Sequence, residues 1–124
     1  MLEILKETEG DLVAVQVSGK LTERDFDRYR VLLREKMALY GEIRLYFEMR
    51  SFTGWKPGSF LENALFDLVH GRKFRKVAMV GEKDWQRWAA GLADVVKAGR
   101  VRYFPWSERE FAKAWIMYLP PHSA

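Results

Sequence analysis

Residues 76–80 read KVAMV, a lysine followed by four apolar residues and closed by Gly81. The run is too short for a helix and too continuous for a strand with one face in water. It reads as a strand covered on both faces, the pattern of a parallel sheet. Helical spacing brackets it: Leu61, Ala64, Leu65 and Leu68 come before, and Trp85, Trp88, Ala89, Leu92 and Val96 follow at i, i+3, i+4 intervals. Strands separated by such helices are joined by right-handed crossovers, which makes neighbouring strands parallel.

The same alternation continues outward. Upstream, Ile43, Leu45 and Phe47 alternate with Arg44, Tyr46 and Glu48, so 42–49 is a strand. Before it, Thr22-Glu23-Arg24-Asp25 has the form of an N-cap with an acidic N3, and Phe26, Tyr29, Leu33, Met37 and Tyr40 recur at helical spacing up to Gly41. Residues 2–7 and 12–18 are two further strands joined across Glu9-Gly10-Asp11 at hairpin spacing. Downstream, 101–104 is a fifth strand, and a last helix starts at Ser107-Glu108-Arg109-Glu110 with Phe111, Ala114, Trp115 and Tyr118 on one face, Trp115 expected to pack in the core. The order ββαβαβαβα predicts an α/β fold with a five-stranded, mostly parallel sheet, whose first strand is an antiparallel edge. A single domain is expected over 1–118, with 119–124, which includes Pro120-Pro121-His122, as a flexible C-terminal tail.

The chain has 124 residues, 48% of them apolar, as expected of one globular domain. No run reaches the roughly 18 uncharged apolar residues of a membrane span. MLEILKETEG lacks a basic stretch leading into an apolar one, so a cytoplasmic location is expected. The absence of cysteine excludes disulfides, zinc ribbons and thiol chemistry. The net charge of +4 is uneven: residues 1–71 carry 10 Lys/Arg against 12 Asp/Glu, and residues 72–102 carry 9 against 3. Such a basic segment suits an anionic partner, or simply a solvated face.

Catalysis finds little support. The two histidines are His70, where a helix C-terminus would favour its charge, and His122 in the tail. No HExxH or comparable ligand spacing suggests a metal, and no cofactor fingerprint is present. In Gly54-Trp55-Lys56-Pro57-Gly58-Ser59 the lysine precedes the second glycine and Pro57 removes a donor, so this is not a Walker A loop. Ser59 is explained as a helix N-cap reciprocated by Glu62. Arg72-Lys73-Phe74-Arg75-Lys76 sets four cations around one aromatic, yet no nucleic-acid-binding pattern accompanies it, and nucleic acid is not the expected partner. Trp55 and Trp106 stand beside the carboxyl ends of the third and fifth strands, where open parallel sheets tend to bind ligands. Either they line a pocket or they plug the loops.

Phe52-x-Gly54-Trp55 after the third strand, Arg75-Lys76-Val77-Ala78-Met79-Val80-Gly81-x-x-x-Trp85, and Arg102-Tyr103-Phe104 before Ser107-Glu108-Arg109-Glu110 together resemble the SpoIIAA-like (STAS-type) proteins. The similarity is strongest to small stand-alone bacterial members and covers nearly the whole chain. It implies an open sheet with helices against it, a topology shared with CRAL-TRIO lipid-binding domains. In anti-sigma-factor antagonists of that superfamily a serine opening the second helix is phosphorylated. Matching Ser51-Phe52 to the lead-in of that motif puts Gly54, Trp55 and Lys56 where the serine would be, leaving only Thr53 and Ser59, both off register, as phosphoacceptors.

Two non-enzymatic functions are therefore expected. One is an apolar-ligand or lipid-binding module, lined by Phe52, Gly54, Trp55, Phe60, Phe66, Trp85 and Trp88, with Arg72, Lys73, Arg75 and Lys76 as contacts to anionic groups. The other is a regulatory module whose same aromatic loops meet a protein partner or a second copy.

Overall fold

The computed structural model describes residues 1–20, 22–54, 74–82 and 101–118, the side chains of Phe26 and of residues 52–54 excepted. The helices expected from Ser59 and around Trp85–Val96 lie outside the described residues, as do His70 and the tail 119–124. The described elements are β1 (Leu2–Ile4), β2 (Leu12–Lys20), α1 (Glu23–Tyr40), β3 (Ile43–Gly54), β4 (Phe74–Gly81), β5 (Val101–Pro105), a single 3₁₀ turn (Trp106–Glu108) and α2 (Arg109–Met117).

The strands form one five-stranded sheet in the order β1-β2-β3-β4-β5. β1 runs antiparallel to β2, and every other pair is parallel. The expected mixed sheet with an antiparallel edge is thus the observed one. β1 is shorter than expected because the Thr8 hydroxyl takes over its role: it accepts from the Ala14 amide at 2.9 Å and donates to the Ala14 carbonyl at 3.0 Å. The chain then turns at Gly10, whose φ of +57° suits glycine, with Glu9 and Leu12 exchanging two backbone hydrogen bonds.

Each face of the sheet has its own core. On one, Val13, Val15, Val17, Ile43, Leu45, Phe47, Met49, Val77 and Val101 meet Tyr29 and Leu33 of α1. Burying Leu33 alone contributes about 2 kcal/mol. Helix α1 starts as expected, with Thr22 and Asp25 forming a reciprocal capping box, and ends at Gly41, whose φ of +78° lets its amide reach the Met37 carbonyl. Its inward stripe stops short of Tyr40, which is half exposed under the Lys36 ammonium.

On the other face, Leu12, Ala14, Tyr46, Ala78, Val80 and Phe104 meet Ala112 and Ile116 of α2. Two expectations for this helix need correcting. Ser107 does not cap it: Trp106–Glu108 form a 3₁₀ turn, and the helix begins after Glu108 with no side-chain cap. Nor does the whole aromatic face turn inward: Ala112 and Ile116 are the buried residues and Trp115 packs partly buried against the same core, its ring 5.7 Å from that of Phe104, while Ala114 is exposed and Phe111 and Tyr118 are more than half exposed. Ala14 and Ala78 flank Tyr46 in the adjoining register positions, so the sheet is lowest beside that ring and the small Ala112 side of the helix packs there.

Arg44 fastens this face. Its guanidinium meets Asp11 at 2.6 to 3.2 Å and donates to the carbonyls of Ile116 and Met117 at 2.8 and 3.3 Å, serving the open C-terminal end of α2.

Candidate functional site

A parallel sheet collects the carboxyl ends of its strands at one edge. Here the order runs without reversal across the described strands, so no crevice arises from a change of winding direction. What marks the edge instead is a bulge in β3. The register steps from Ser18 opposite Arg50 to Gly19 opposite Phe52 and Lys20 opposite Gly54, leaving Ser51 and Thr53 without a partner in β2. Ser51 takes a φ of +48°, a conformation that costs a non-glycine residue about 1 kcal/mol or more. Its amide is not wasted, for it donates to the Glu82 carboxylate at the end of β4.

One row further in, Glu48 is buried on the α2 side of β3. Its carboxylate accepts from Gln16 Nε2 at 2.7 Å through Oε1 and from the Tyr46 hydroxyl at 2.7 Å through Oε2. Burial, reinforced by that hydrogen bond and the Glu48 charge, pushes the Tyr46 phenol far above its ordinary value. Its proton therefore stays where it is donated. The triad holds a buried charge with two neutral donors and offers neither a free nucleophile nor a base.

Trp106 stands at the carboxyl end of β5 in the 3₁₀ turn, half-buried and packed against the α2-side core. Two guanidiniums rest on its indole: Arg50 from the end of β3 at 5.9 Å from the ring centroid, and Arg109 from the first turn of α2 at 4.8 Å. The strand ends thus carry an aromatic surface, two cations and the strained Ser51 within one edge. Such an arrangement suits non-covalent recognition. No group of three metal-ligating side chains occurs among the described residues.

A second aromatic and cationic cluster lies toward the outer edge of the same face. Arg102 of β5 sits 4.9 Å from the Phe104 ring, 5.6 Å from Phe111 and 5.9 Å from Trp115. Lys76 of β4 lies 4.3 Å from the Trp115 ring and donates to the Trp115 carbonyl at 3.0 Å. Burial first, then the Arg44 charge, lowers the affinity of Lys76 for its proton.

The residues singled out in the sequence are distributed as follows. Phe52, Thr53 and Gly54 end β3, and only their backbone is described. Trp55, Ser59, Phe60, Phe66, Arg72, Lys73, Trp85 and Trp88 lie outside the described residues. Arg75 and Lys76 alternate in β4, Arg75 exposed beside Glu42 at 3.7 Å and Lys76 turned toward α2. Sequence reasoning passed over Gln16, Glu48, Arg50, Glu82 and Arg109. The available signal was the polar alternation of Arg44, Tyr46 and Glu48 in a strand central enough to be covered on both sides.

A model of the SpoIIAA-like family matches residues 12–117. Among solved structures, an uncharacterized protein of the DUF3478 family from Shewanella loihica PV-4, described as having a SpoIIAA-like fold, is 26% identical. The similarity covers 93% of each chain with a TM-score of 0.66. Comparison with curated proteins finds no match.

Proposed function

Since this chain belongs to the SpoIIAA-like family, we propose that it is a non-enzymatic binding module that holds an apolar small molecule or lipid at the carboxyl edge of its sheet. The observation that supports this reading is Trp106: a large aromatic ring, half-buried at the strand ends and attended by Arg50 and Arg109. The remaining lining is proposed from Phe52, Gly54, Trp55 and the aromatic residues Phe60, Phe66, Trp85 and Trp88. Among the described residues no helix is long and apolar enough to cross a membrane. Native mass spectrometry with organic extraction of the purified protein tests the proposal. An adduct that dissociates as an apolar molecule is expected, and a bare chain mass with an empty extract contradicts it.

One observation favours the regulatory, protein-binding reading. Phe111 and Tyr118 leave more than half of their surface exposed along α2, on either side of the half-buried Trp115, with Arg102 and Lys76 beside them. In that reading these rings contact a second copy or a protein partner. A Phe111→Ala, Tyr118→Ala double variant that sediments like the parent over a wide concentration range, and retains the parent's partners, removes its support.

A further inference from the structure

We propose that Arg50 and Arg109, set against Trp106, form an oxyanion site that takes the carboxylate or phosphate group of the bound ligand; this rests on reading the carboxyl edge as the place of binding. The two arginines come from elements far apart in sequence, the end of β3 and the start of α2, and converge on one ring, at 5.9 and 4.8 Å from its centroid. A guanidinium is drawn to an indole face without losing its N–H donors, which sit in a planar fork, the geometry that meets carboxylate and phosphate oxygens in pairs. Attraction to the ring also restrains the side chains that an anion would otherwise have to arrest alone.

The charge of these two residues is not spent within the described residues. Arg44 has Asp11 and Arg75 has Glu42, whereas no carboxylate among the described residues pairs with Arg50 or Arg109. The acidic groups at the same strand ends are engaged elsewhere: Glu48 receives Gln16 and Tyr46, and Glu82 receives the Ser51 amide. Glu110, next to Arg109 in sequence, pairs with Lys113 at 3.7 Å, and Glu108 is exposed at the start of α2. Arg102, in the other aromatic cluster, lies on the outer edge beside the buried Phe104, the half-buried Trp115 and the exposed Phe111, and among the described residues no second guanidinium shares a ring with it. The pairing of two guanidiniums on one ring at the strand ends is what distinguishes this site.

Either an amphiphile's headgroup or a free oxyanion carries this chemistry, and calorimetric titration separates them. The parent, an Arg50→Gln, Arg109→Gln double variant and an Arg50→Lys variant, each checked for fold by circular dichroism, are titrated with decanoate, decanol and inorganic phosphate. Binding of decanoate that is about tenfold weaker in the double variant, partly restored in Arg50→Lys, with decanol equal in all three, supports the site as a headgroup clamp. Arginine-dependent binding of phosphate, with decanoate no stronger than phosphate and no binding of decanol, supports the oxyanion site and removes the apolar-ligand reading. Uptake of decanoate and decanol alike, insensitive to both substitutions, overturns the oxyanion site and keeps the apolar reading. Failure of all ligands to bind the parent overturns both.

Discussion

Ser51 is where the chain accepts local strain. An L residue at φ +48° is tolerated only where its surroundings hold it there. The β3 bulge and the bond from its amide to Glu82 do so at the strand ends. Strain of this kind marks a place where a loop has been aimed rather than relaxed. Ser51→Gly therefore raises stability by about 1 kcal/mol, read as a higher urea midpoint with an unchanged slope. A lower midpoint would show that the serine side chain stabilises the turn more than the strain costs. None of this was legible in the sequence, since a serine between Arg50 and Phe52 carries no sign of a positive φ. Glu48 was half legible: its place in the alternation was plain, but its partner Gln16 is 32 residues away in the chain.

At the scale of elements, the local signals read most faithfully are those that close within four residues. The Thr22 capping box is one, with both reciprocal bonds present. Burial works to raise the Asp25 carboxyl, yet the hydrogen bonds from Thr22 and the N-terminal ammonium outweigh it and hold Asp25 below its ordinary value. A carboxylate depressed in the folded state stabilises above its unfolded pKa and loses that contribution as pH falls through the folded one. Thr22→Ala is thus expected to cost about 1 kcal/mol near neutrality, and the difference from the parent shrinks below about pH 4. A difference that stays constant to about pH 2 would contradict this account of the cap. Helix α2 shows the converse. Periodicity offered two adjacent faces, the aromatic one through Phe111, Trp115 and Tyr118 and the small one through Ala112 and Ile116, and hydrophobicity favours the former. The contour of the sheet beside Tyr46, flanked by Ala14 and Ala78, selected the latter for full burial and took only Trp115 of the former, partly buried, against the same core. That contour is a property of three strands together and has no expression in the helix's own sequence.

For the molecule as a whole, the run KVAMV led to the right sheet because a strand covered on both faces is a statement about topology, not only about itself. The two cores, one under α1 and one under α2, share the central strands and enclose Tyr29, Tyr46 and Tyr103 deeply enough that burial raises all three phenols well above their ordinary value. A phenol whose folded pKa is raised stabilises the fold below its unfolded pKa of about 10, and this contribution is lost as pH rises through the folded value. Alkaline titration followed at 295 nm should leave three of the five tyrosines un-ionised until the chain unfolds. Smooth ionisation of all five with the fold intact would contradict the burial described. On the scaffold of the family, the edge of this sheet carries the bulge at Ser51 and Trp106 with Arg50 and Arg109 over its ring. The most direct test of that edge as a ligand site is the indole N–H region of a proton–nitrogen correlation spectrum, where the five tryptophans give separate signals and Trp106→Phe identifies one. On titration with decanoate the Trp106 signal should move progressively and saturate, and a Trp106 signal that stays fixed while decanoate binds would place the ligand elsewhere.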